Sequence, residues 1–162
     1  MLDESQLSVF YPKIQEFLNQ VNQIVLDKNQ QTQLALCSLL AGGHILFEDL
    51  PGLVKTTLAS SLAHLAGLQF KRIQFTNDML ASDVIGVNMF NQKEHQFEFK
   101  QGPIFTQILL ADEINRCSPK TQSALLEAME EGVVTIDANR YVLPQPFWVI
   151  ATQNPLFHSG TY

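Results

Sequence analysis

Apolar residues recur at helical spacing through Ile14, Phe17, Leu18, Val21, Ile24 and Val25, which predicts an amphipathic helix over Tyr11–Leu26. Pro12 suits its first turn, where no backbone donor is needed. A second helix is expected over Asn29–Ala41, with Leu34, Leu36, Leu39 and Leu40 as its apolar face and Gly42-Gly43 as its stop. From there short apolar runs alternate with helical stretches. His44–Glu48 reads as a strand, Thr57–Leu68 as a helix, and Phe70–Phe75 as a strand packing through Phe70, Ile73 and Phe75. Ile108–Ala111 is a strand ending in Asp112-Glu113. Ser118-Pro119 opens a helix with Leu125, Leu126 and Met129 inward, stopped at Gly132. Phe147–Thr152 is a last strand, ending at Gln153-Asn154-Pro155.

Such alternation predicts an α/β fold, a parallel sheet flanked by helices on both faces, with ligands at the carboxyl ends of its strands. Two β-hairpin insertions interrupt it. Asn88–Phe90 pairs with Gln96–Phe99, and Val133–Ile136 with Tyr141–Leu143 around Asp137-Ala138-Asn139-Arg140. Phe97, Phe99 and Phe105 read as hairpin and core packing. The expected organisation is a helical segment over residues 1–28 and an α/β core over 29–162.

At 162 residues, 46% hydrophobic and 16% charged, the chain can bury one core. A net charge of −6 without a basic stripe argues against nonspecific nucleic-acid binding, which needs clustered Lys and Arg. No apolar run reaches the roughly 18 to 20 residues of a membrane span. The start is acidic and polar, so no secretory signal is expected and the location expected is cytoplasmic. Cys37 and Cys117 form no metal spacing and read as two reduced thiols. His44, His64, His95 and His158 form no ligand set.

The chemistry gathers at Glu48-Asp49-Leu50-Pro51-Gly52-Leu53-Val54-Lys55-Thr56-Thr57, between a strand and a helix. A phosphate loop needs that context, because backbone amides and a helix N-terminus must converge on an anion. Lys55 and Thr56 occupy the places of the phosphate-reaching ammonium and the magnesium-binding hydroxyl. The pattern G-x-x-x-x-G-K-[ST], however, places glycines where Asp49 and Val54 stand. Asp112 and Glu113, at the end of a buried strand, suit magnesium ordering and activation of a water. Asn154 is either a turn residue of Asn-Pro or an amide that donates to the γ-phosphate or orients the water. Arg116 reads equally as a solvated arginine or as one reaching a neighbouring subunit or nucleotide.

Leu40–His44, Phe70–Thr76, Ser82–Gly86, Phe97–Pro103, Leu110–Arg116, Pro119–Glu131 and Val149–Pro155 together resemble the MoxR family of AAA+ ATPases, over about Val25 to Tyr162. The resemblance implies a P-loop NTPase core acting as a magnesium-dependent, ring-forming, chaperone-like remodeller of client proteins. Carried over by position, Pro51, Gly52, Lys55, Thr56 and Thr57 would lie on the phosphates, and Thr56 with Asp112 would serve magnesium. Glu113 would be the catalytic acid and Asn154 the first sensor. The hairpins would face the ring pore or partners.

The chain departs from this family at Asp49 and Val54, and Leu26-Asp27-Lys28 replaces its Val-Gly-Gln near the adenine pocket. A charge at position 49, about 5 Å from a phosphate, implies roughly 1 to 3 kcal/mol of repulsion at an effective dielectric of 20 to 80. That is about five- to a hundredfold in affinity. Val54 adds a β-branched side chain where the backbone approaches nucleotide. Similar ATPases continue past Tyr162 into a fifth strand, an arginine finger and a helical lid, so a partial core is expected here. In the family sheet order 5-1-4-3-2, the first strand then becomes an edge. The expected activity is impaired ATP hydrolysis; the alternatives are a non-catalytic degenerate subunit or interaction module, or a nonfunctional truncation.

Overall fold

The computed structural model describes residues 4–48 and 54–154. Helices α1 (Glu4–Ile24) and α2 (Asn29–Leu40) precede β1 (Ile45–Glu48), α3 (Val54–Leu65), β2 (Phe70–Gln74) and the short α4 (Ala81–Ile85). A hairpin of β3 (Gly86–Asn91) and β4 (Gln96–Gln101) follows. Then come β5 (Ile108–Asp112), α5 (Pro119–Glu131), the hairpin of β6 (Val133–Ile136) and β7 (Asn139–Val142), and β8 (Trp148–Gln153). Among the described residues no helical lid follows β8.

The main sheet is wholly parallel, in the order β1-β8-β5-β2. Every residue of β5 is buried, as is β8 from Trp148 to Thr152, because central parallel strands are covered on both faces. β1 pairs on one side only among the described residues and leaves Leu46 exposed.

Side-chain alternation divides the core in two. Ile108 and Leu110 of β5, with Trp148 and Ile150 of β8, pack under α1, α2 and α3 through Val21, Val25, Ala35, Leu58, Ala59, Leu62 and Ala63. Leu109, Ala111, Val149 and Ala151 pack on the opposite face with Leu125 and Ala128 of α5. The loop before α5 is held by Ser118, whose hydroxyl caps Thr121 N–H at 3.3 Å, with Pro119 in the first turn and Gly132 left-handed at the end.

Four expectations about the helices are corrected. Leu34 and Leu40 of α2 are exposed, and Thr32, Ala35 and Leu36 form its buried face. Leu126 is exposed while Leu125 and Ala128 carry the α5 contact. Ile24 is half-exposed, and the chain buries Val21 and Val25 instead. Pro12 lies inside α1, which begins at Glu4. In the first three cases one face of each helix meets the core, and the extra leucine or isoleucine lies beyond that stripe.

The hairpins touch each other. Asn88 Nδ2 donates to Asp137 Oδ2 at 2.6 Å, and the Phe99 and Tyr141 rings stack with centroids 4.0 Å apart. Phe105 is buried beneath Phe99, whereas Phe97 is exposed and meets Phe90 edge-on.

Candidate functional site at the carboxyl edge of the sheet

Extending the alternation by one step locates the polar residues. Asp112 follows Ile108 and Leu110, and Thr152 follows Trp148 and Ile150, so both lie on the α3 face just beyond the apolar rows. Arg72 and Gln74 follow Phe70 on the same face of β2. Lys55, Thr56 and Thr57 stand half-buried in the first turns of α3, which packs on this face. That end of the helix turns its positive dipole to the carboxyl edge.

Both oxygens of Asp112 are engaged. The Thr152 hydroxyl donates to Oδ1 at 3.1 Å, and Arg72 Nε donates to Oδ2 at 2.6 Å. The Thr152 oxygen in turn accepts the Glu113 N–H at 3.0 Å, so one hydroxyl ties the two adjacent acids together. Glu113 takes a left-handed backbone (φ 55, ψ 47), an uncommon state for a residue with a β-carbon. Such outliers concentrate at functional sites. Its carboxylate accepts from Gln74 Nε2 at 2.9 Å and pairs with Arg116 at 2.8 Å. Arg116 therefore belongs to the acid cluster rather than to open solvent.

Asn154 is buried just past β8, and its backbone carbonyl accepts from the buried side chain of Asn115 at 3.0 Å. Beside it, on the other face of the sheet, Gln153 donates to Glu48 at the end of β1. The ends of β1, β8, β5 and β2 thus bring Glu48, Gln153-Asn154, Asp112-Glu113 and Gln74 to one edge, with Lys55 and Thr56 on the helix above. Asp49, Pro51 and Gly52 lie outside the described residues, as does Pro155. Val54 has helical backbone as the first residue of α3, a conformation open to valine, so the expected backbone conflict is not found at that residue.

Arg72, Gln74 and Thr152 escaped the sequence reading as site residues. Their signal was positional: each shares strand parity with Phe70 or with Trp148 and Ile150, Gln74 and Thr152 falling level with Asp112 and Arg72 one step before it on the same face.

A magnesium ion bound with a triphosphate takes one or two carboxylates, phosphate oxygens and water rather than a protein cage. Asp112 and the Thr56 hydroxyl suit that requirement. No group of three or more His, Cys, Asp or Glu gathers among the described residues. No helix among them is long and apolar enough to cross a membrane.

Residues 44–162 match the model of the ATPase family associated with various cellular activities (AAA). The uncharacterized protein YeaC of Bacillus subtilis (strain 168) is 52% identical over 152 residues, 94% of this chain and 48% of that protein. Chaperone MoxR1 of Mycobacterium tuberculosis is 43% identical over 143 residues, 88% of this chain and 38% of that one. A crystal structure of a provisionally named ATPase from Cytophaga hutchinsonii ATCC 33406 superposes with a TM-score of 0.80 at 46% identity, covering 98% of this chain and 48% of that one. The chain thus spans about half the length of these relatives, or less. With the strand order, the paired acids and these matches in agreement, the chain belongs to the AAA+ ATPases, and within them to the MoxR family.

Proposed function

We propose that this chain carries the MgATP site of a MoxR-type remodelling ATPase, and that its own loop weakens binding and turnover. The observation that carries the reading is the placement of Asp112 and Glu113 at the end of β5, beside the Thr152–Asn154 end of β8 and on the edge that the Lys55 turn of α3 overlies. Lys55, Pro51, Gly52 and Thr57 bind the phosphates in this account. Thr56 and Asp112 would hold magnesium, which when bound would supply charge neutralisation at the transferred phosphoryl group. Glu113 accepts a proton from the attacking water, and Asn154 orients that water or the γ-phosphate. Before nucleotide binds, Gln74 and Arg116 hold the Glu113 carboxylate. Asp49 opposes the phosphate charge, so turnover is slow.

Ring assembly, a client protein and a cytoplasmic location belong to the same proposal; the net charge of −6 argues against nucleic acid as the partner. A second reading, a non-catalytic subunit that binds through its hairpins, is favoured by Asp49 and by the exposed Met89, Phe90 and Phe97 of β3 and β4. Steady-state hydrolysis separates the two. Slow MgATP turnover that disappears in both Glu113→Gln and Asn154→Ala supports the ATPase. Release of phosphate unaffected by Glu113→Gln would refute it.

A further inference from the structure

Two acids at the sheet edge are matched by two arginines, but in unlike ways. Arg116 follows Glu113 by three residues and pairs with it locally. Arg72 comes from a different strand, β2, and reaches across to Asp112. Its Nε sits 2.6 Å from Oδ2, while its Nη2 donates to Gln74 Oε1 at 3.2 Å. The Asp112 side chain is 11% exposed and that of Arg72 is 50% exposed. The acid is therefore held in place, and the guanidinium has water beside it to move into.

A carboxylate oxygen already bonded to a guanidinium is a poor ligand for a dication. One of its lone pairs is taken, and the two cations repel. The other oxygen is engaged by Thr152, so Oδ2 is the oxygen whose partner can be exchanged. We propose that Arg72 is a positioning residue that holds Asp112 in the metal-free site and is displaced from Oδ2 when a divalent cation loads. Loading is then an exchange of one cation for another, and Arg72 sets the metal concentration at which it occurs. This rests on the assignment of Asp112 to the magnesium site.

The test is titration of the whole chain with Mn2+ alone, followed by water-proton relaxation, in wild type, Arg72→Gln, Arg72→Lys and Arg72→Gln/Asp112→Asn. A unit charge facing a dication across ~4 to 8 Å at water-like dielectric implies a gain of roughly five- to thirtyfold on neutralising Arg72. Arg72→Gln should tighten Mn2+ binding by that factor. Arg72→Lys, which keeps the charge, should remain near wild type, and the double variant should lose the gain. A purely structural role for Arg72 would not raise metal affinity in any variant. Equal Mn2+ affinity in wild type and Arg72→Gln, or a gain that survives Asp112→Asn, would overturn the proposal. Titration with MgATP then reads the ATPase assignment separately. A Mn2+ gain without nucleotide binding keeps the exchange and rejects the ATPase; nucleotide binding without the gain does the reverse.

Discussion

The hydroxyl of Thr152 donates to Asp112 Oδ1 at 3.1 Å, so the end of one central strand fixes the acid at the end of its neighbour. The same oxygen accepts the Glu113 N–H, which the left-handed turn at that residue points across to β8. A single side chain thereby sets the separation and direction of both carboxylates.

Replacing that hydroxyl has a specific consequence. Thr152→Val keeps the shape but leaves Asp112 Oδ1 and the Glu113 amide without this partner, at a cost of about 1–3 kcal/mol. Thr152→Ser should restore most of the loss. Chemical denaturation of the three proteins reads the difference; equal midpoints would show that the hydroxyl ties nothing.

His44 closes the opposite end of the sheet. Its Nδ1 accepts the Val149 N–H at 3.0 Å, and its Nε2 bonds the Met129 carbonyl at 3.1 Å, which requires the neutral Nε2–H tautomer. His44→Phe should cost about 1–3 kcal/mol by orphaning a strand amide and a helix carbonyl. His44→Asn can still accept from Val149 and should lose less. Hydrogen exchange at Val149 distinguishes the variants, with fast exchange expected only for phenylalanine.

The thiols should differ in reactivity. Burial pushes the Cys117 thiol up to about 11 from an ordinary 9.0, and its Sγ donates to the Ile114 carbonyl at 3.2 Å; Cys37 is exposed. Since the thiolate is the nucleophile, an alkylating reagent near pH 8 should modify Cys37 and spare Cys117 in the folded chain. The raised value also fixes a sign. The folded state favours the protonated thiol, so its contribution to stability is full below about 9 and is lost as pH rises towards about 11. Equal labelling of both cysteines at pH 8 would contradict this picture.

The alternation of apolar runs was enough to read the strand and helix order, and the resemblance implied the strand order now seen as β1-β8-β5-β2. Ser118 and Gly132 were legible because caps and stops are local chemistry. The support of the acids was not. Arg72 and Thr152 meet Asp112 only through the register of parallel strands, which no window of sequence contains. The surplus leucines misled for a related reason: Leu34, Leu40 and Leu126 fit helical spacing, yet the core covers a narrower stripe than the pattern offered. The second hairpin was legible, but its turn is tighter than expected: it closes on Asp137-Ala138, both left-handed, and Asn139 and Arg140 already pair in β7. Gly86 and Gly102 stood out only as part of the family pattern. Their physical reason is contact: a β-carbon on either would collide with the backbone at the other's strand end, with the Lys100 and Val84 carbonyls in the way.

The account's central claim is that the residues at this edge form one triphosphate site whose strength is limited by its loop. Calorimetric titration with MgATP tests it directly, comparing wild type, Asp49→Gly/Val54→Gly, and the same double variant carrying Lys55→Ala. The expected result is affinity raised about five- to a hundredfold by the two glycines, as the charge estimate implies, and abolished by the loss of Lys55. The same dissociation constant for MgATP in all three proteins would contradict it.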